Sequence, residues 1–162
     1  MRAINTGAIV TFTLVTAATT VAGVVVGWQG IGRLPLGDFR GIAVVFSAAL
    51  SIFLLTVLAY RVLFSIWPLI EGDLAPGSVG ESRWNLNALF GLMVFAPLAD
   101  TQALPLPLKR LLFIALGARM GANSHCAGKM LDPMLTSMGR DCVIGQDAIV
   151  FAHAIERDRL AL

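Results

Sequence analysis

Hydrophobic and polar positions give the two halves of this 162-residue chain different rhythms. Residues 4–28 read INTGAIVTFTLVTAATTVAGVVVGW, 25 positions without a charge. A helix needs about 20 apolar residues to cross a hydrocarbon core about 30 Å thick, so this run is long enough to span. It also exceeds the apolar core of a signal peptide, which favours an uncleaved span. A second apolar run covers residues 41–66, and a shorter third, residues 84–100, includes Asn85, Asn87 and Pro97. The pattern predicts two to three transmembrane helices within residues 1–103. Trp28, Trp67 and Trp84 lie at the ends of these runs, as interfacial aromatics do, and Arg61 is placed to snorkel beside Tyr60. Between the second and third runs, EGDLAPGSVGESR (residues 71–83) reads as a loop because it is polar and rich in Gly, Pro and Ser. In residues 104–117, LPLPLKRLLFIALG, two prolines precede a short apolar helix with Lys109 and Arg110 near its start. That arrangement predicts an interfacial helix or linker at the membrane surface.

From residue 118 the beat changes to six. MGRDCV, IGQDAI and VFAHAI follow one another over residues 138–155, each opening on an aliphatic residue. Stepping backwards in sixes reaches Asp132, Cys126 and Met120, and Gly121 and Gly139 are 18 residues apart. Small residues recur four places after the aliphatic one: Ser124, Cys142, Ala148 and Ala154. This periodicity points to a parallel β-helix with a triangular coil, aliphatic residues inside and small residues near the corners. Asp132-Pro133 breaks the rule and is expected as a loop or distorted corner. Residues 118–162 are therefore expected to form a partial β-helix.

Composition strengthens the membrane reading: 57% of residues are apolar and 14% charged, against about 45–50% and about 25% in soluble domains. A net charge of +2 without a basic, aromatic-interleaved stripe argues against nucleic acid as a partner. Cys126 and Cys142 form no metal-binding pair and are expected as small inward or corner residues. If three runs span, Arg33, Arg40, Lys109, Arg110 and Arg119 share the side of the C-terminal segment; if two span, only Arg33 and Arg40 oppose it. Either count puts that segment in the cytoplasm of a multi-pass cell-membrane protein.

The ordered set Leu116-Gly117-Ala118, Met120-Gly121, Leu131-Asp132-Pro133, Met138-Gly139, Ile144-Gly145 and His153 resembles the start of the repeat domain in membrane-anchored hexapeptide-repeat acyltransferases. The resemblance also touches the EGDLAPGS loop. It implies a left-handed parallel β-helix, homotrimer formation, and acyl transfer from acyl-CoA or acyl carrier protein to a hydroxyl or amine. Acyl-CoA would be a co-substrate, with no bound cofactor and no metal. The acceptor would be a lipid or saccharide presented at the bilayer. Relatives of this kind continue with further hexads where this chain reads ERDRLAL (residues 156–162), so the β-helix is expected to be incomplete and C-terminally truncated.

Such transfer needs a base for the acceptor's proton, and histidine suits it because its ordinary pKa, about 6.5, lies near working pH. The resemblance assigns that role to His153. Glu156 is the nearest carboxylate in sequence that could orient it, although residues three apart on a strand face opposite ways. Asp132 is a candidate substrate contact, and His125 projects from a different side of the prism. The competing expectation is a non-enzymatic or vestigial membrane protein whose short repeat serves in assembly. A transporter subunit is disfavoured because the first run carries no ionisable residue.

Overall fold

The structure is a computed structural model that describes residues 4–101, 104–156 and 159–162. The chain divides into two compact units, Val10–Ile66 and Met1–Ile9 with Trp67–Leu162.

The first unit is a pair of long helices, α1 (Thr6–Ile31) and α2 (Arg40–Ile66), joined through a single 3-10 turn at Gly37–Phe39. At about 1.5 Å per residue their 26 and 27 residues reach about 40 Å, and both are long and apolar enough to cross a membrane. Small residues set how they meet. A Cβ on Gly23 would lie 2.6 Å from the backbone nitrogen of Ile52, and one on Gly27 would lie 2.5 Å from Cα of Ala48. The GxxxG spacing thus seats α2 directly on the backbone of α1. Beside it the hydroxyl of Thr56 donates to that of Thr19 at 2.9 Å, a polar contact buried between the helices. Leu14, Val21, Phe46 and Leu50 point outward and are 60–72% exposed, the apolar exterior that a lipid environment favours.

The second unit begins with a short strand, β1 (Asp73–Leu74), and a helix, α3 (Val79–Phe90). The helix starts five residues before the apolar run, inside the stretch expected as loop, because Ser78 caps it. The Ser78 hydroxyl accepts from the Glu81 N–H at 3.1 Å, and the Glu81 carboxylate accepts from the Gly77 N–H at 2.6 Å. This reciprocal capping satisfies donors that a helix start leaves free. A π-helical turn, Gly91–Phe95, then leads into α4 (Ala96–Ala99). Pro97 lacks the N–H that the carbonyl four residues earlier would need, and the wider turn absorbs the mismatch. Glu81, Asn85 and Asn87 are buried here along with Leu86, Phe90 and Phe95. The third apolar run, residues 84–100, is accordingly a packed, interrupted element; among the described residues only α1 and α2 have membrane-spanning length and apolarity.

Helix α5 (Leu106–Ala115) follows Pro105 and lies against the strands after it. Its cations turn inward. Lys109 is buried and donates to the Ala127 carbonyl at 3.2 Å, while Arg110 donates to the Ser124 carbonyl at 3.0 Å and the Gly121 carbonyl at 3.2 Å. Leu106, Leu108, Leu111 and Ile114 face outward. The amphipathic sense is therefore the reverse of the one that basic residues suggested, because backbone carbonyls of the strand corners need donors more than solvent needs the charges.

Six two-residue strands then form three separate parallel pairs. These are β2 (Arg119–Met120) with β5 (Ser137–Met138), β3 (His125–Cys126) with β6 (Val143–Ile144), and β4 (Lys129–Met130) with β7 (Ile149–Val150). The first two pairs are offset by 18 residues and the third by 20. Strand starts are six residues apart except for a short step of four, 125 to 129, and a long step of eight, 129 to 137. Gly128 permits the short step, since a Cβ there would collide with the carbonyls of Ala148 and Gly145. The long step holds Asp132 and a 3-10 turn, Pro133–Leu135, the distorted corner expected from the broken hexad. Elsewhere the corners repeat. Asn123 and Asp141, 18 apart, both take left-handed φ (55° and 56°) and their side chains hydrogen-bond at 2.9 Å. Ser124 is fully buried and ties the two turns together, donating to the Gly139 carbonyl and accepting from the Cys142 N–H. Cys126 faces in and Cys142 is exposed.

The last strands, β8 (Ala154–Glu156) and β9 (Arg159–Ala161), form an antiparallel sheet with β1 in the order β1-β9-β8. Gly72 and Leu162 exchange backbone hydrogen bonds of 2.9 and 3.1 Å, and Leu74 and Leu160 are buried. The residues expected to break off the repeat thus bind the loop that follows α2.

Candidate active site

His153 lies between β7 and β8, where the chain leaves the parallel pairs for the antiparallel sheet. Its Nδ1 is 2.6 Å from Oδ2 of Asp132, which is 3% exposed. The same carboxylate oxygen accepts from the Ala152 N–H at 3.0 Å. Asp132 is itself held by its corner: its carbonyl accepts from the Thr136 hydroxyl at 2.8 Å and from the Leu135 N–H at 3.1 Å. A carboxylate offers only acceptors, so Nδ1 of His153 carries the proton and Nε2 presents its lone pair. Nε2 has no partner among the described residues and is not enclosed, whereas Nδ1 is spoken for. An imidazole fixed at Nδ1 and open at Nε2 is arranged to accept a proton.

Two aromatic rings flank the imidazole. Phe151 is tilted against it at 5.7 Å between centroids, and Trp84 from α3 meets it edge-on at 5.3 Å. The antiparallel sheet explains the meeting, because β9 joins β8, next to His153, to β1, which ends five residues before α3 starts. The indole Nε1–H of Trp84 is enclosed and has no hydrogen-bond partner among the described residues. A buried donor left unmade costs about 1–3 kcal/mol.

Of the residues singled out from sequence, His153 and Asp132 are brought together, with Asp132 as the imidazole's partner. Glu156 lies in β8, and its side chain is outside the described residues. His125, on β3, is not among the contacts of His153; its own Nδ1 is enclosed without a partner among the described residues. Trp84 and Phe151 were not foreseen as site residues. The signal for the Asp132 pairing is the shift from an offset of 18 to one of 20 at the third strand pair. A uniform offset of 18 would set Val150 over Asp132, whereas 20 brings Ala152 there and His153 beside it. Cys126 plays no part in the cluster. Burial pushes its thiol above the ordinary value, opposed by the Gly128 backbone and by Lys109.

Comparison with protein-family models, with curated proteins and with solved structures finds no match.

Proposed function

We propose that this chain is a membrane-anchored acyltransferase in which His153 is the general base and Asp132 the residue that positions it. The observation that carries the reading is the imidazole held at Nδ1 by a buried carboxylate at 2.6 Å, with Nε2 left open. The acceptor's proton passes to Nε2 as its heteroatom attacks the thioester carbonyl of acyl-CoA or an acyl carrier protein, and the imidazolium that forms is stabilised by Asp132. The family resemblance and the strand offsets of 18 and 20 support a left-handed β-helix as the frame, with neighbouring copies completing the site in a homotrimer. Two apolar helices of spanning length support a multi-pass anchor, and the uncharged outer face of α5 supports a site at the membrane surface. The arginine and lysine distribution supports the cytoplasmic side. There a lipid or saccharide acceptor could meet the acyl donor.

The test is release of free thiol and formation of acylated product by the full chain in lipid nanodiscs with acetyl-CoA. His153→Ala should abolish His-dependent turnover, a loss of about a hundredfold or more. Asp132→Asn should lower kcat strongly while leaving KM for acetyl-CoA nearly unchanged, because it disturbs the imidazole and not donor binding. Unchanged turnover in His153→Ala would remove the mechanism. A non-enzymatic assembly role is favoured instead by outward apolar side chains on β6 and β7, Val143 at 74% and Ile149 at 56% exposure. That reading predicts self-association without thioester cleavage.

A further inference from the structure

We infer that the site is built to acylate a hydroxyl and not an amine, with the indole N–H of Trp84 holding the acceptor oxygen while His153 takes its proton. The inference rests on the base role proposed for His153. The buried indole donor has no partner among the described residues, yet its ring stands edge-on to the imidazole at 5.3 Å. Retaining an unpaired donor on a ring that touches the imidazole calls for a group that arrives with the substrate. A donor on one of two touching rings and an acceptor on the other are complementary to a group that both accepts and donates. The N–H is enclosed, so the indole must turn towards the entering oxygen.

A hydroxyl meets this demand without losing its reactivity. Its oxygen has two lone pairs: one accepts from Trp84 and the other attacks, while the O–H is given to Nε2 of His153. A neutral amine has a single lone pair, and a hydrogen bond from Trp84 would occupy the electrons needed for attack. In the step, an acyl carbon–oxygen bond forms and the carbon–sulfur bond of the acyl thioester breaks. The hydroxyl proton moves to His153 and then to the departing thiolate, leaving an ester, a free thiol and a neutral imidazole.

The experiment gives the full chain in nanodiscs acetyl-CoA with either para-decylphenol or para-decylaniline, matched in shape and both neutral at pH 7. Ester, amide and free thiol are measured by mass spectrometry. The phenol should be acylated at least tenfold faster although the aniline is the better free nucleophile. Trp84→Phe keeps a ring beside His153 but removes the donor. It should lower kcat for the phenol at least tenfold, leave KM for acetyl-CoA unchanged and spare the aniline rate. Equal wild-type rates for the two acceptors overturn the inference without recourse to a variant. So does a Trp84→Phe protein that slows both acceptors equally, or neither, while transfer still depends on His153. If no transfer depends on His153, the base reading fails and this inference fails with it.

Discussion

Asp132 stands in the long step where the six-residue rhythm stretches to eight, and its carboxylate is satisfied twice, by Ala152 and by His153. A buried carboxylate without partners would be costly, so the corner and the histidine stabilise one another. The two cysteines offer a separate check on the inward and outward assignment of residues. Cys126 is fully buried with its thiol pushed up by desolvation, which leaves less thiolate at neutral pH; Cys142 is exposed. Iodoacetamide should therefore alkylate Cys142 readily in the native protein and modify Cys126 only after denaturation, read peptide by peptide by mass spectrometry. Rapid native labelling of Cys126 would contradict the inward orientation of β3.

Among the elements, the α1–α2 pair depends on glycine for a steric reason. Gly27→Leu would drive a side chain into the Ala48 backbone, and overpacking of this kind costs about 1–3 kcal/mol. Gly30→Leu supplies the control, since a Cβ there meets nothing within 4 Å. Thermal unfolding in detergent, followed by far-ultraviolet circular dichroism, should show a lower Tm for Gly27→Leu and little change for Gly30→Leu. The strand pairs rest on a different device. A corner shortened at Gly128 and lengthened at Pro133–Leu135 returns the next strand, β5, to its 18-residue register with β2. Helix α5 then supplies, through Lys109 and Arg110, donors for carbonyls at the corners it covers.

For the whole molecule, the orientation proposed from basic residues can be tested through Cys142, which is exposed and lies in the segment that the proposal puts on the cytoplasmic side. A membrane-impermeant maleimide should label it in inverted vesicles and in permeabilised cells, but not in intact cells. Labelling of intact cells would place the segment on the opposite side. Cys126, being buried, should stay unlabelled in native protein on either side.

The sequence by itself determined what depends on local composition and period. Two long apolar runs, the first without a charge and the second with Arg61 alone, specify long helices, and the residues recurring every six positions mark strands that the structure pairs 18 apart. His153 stood out as a candidate because it matches the histidine that the family resemblance implies as base, a role suited to a side chain that titrates near neutrality. Only the tertiary structure decided its company. The pairing with Asp132 needs a register shift of two residues, produced by compensating corners that no single hexad reveals. Trp84 reaches the imidazole from 69 positions away because β9 folds back onto β1, and in sequence it is indistinguishable from an interfacial aromatic. Lys109 and Arg110 likewise read as surface charges until the carbonyls they satisfy are in place. Periodicity records which way a side chain faces along its own element; which elements meet is set by long-range packing and the need to pair buried polar groups.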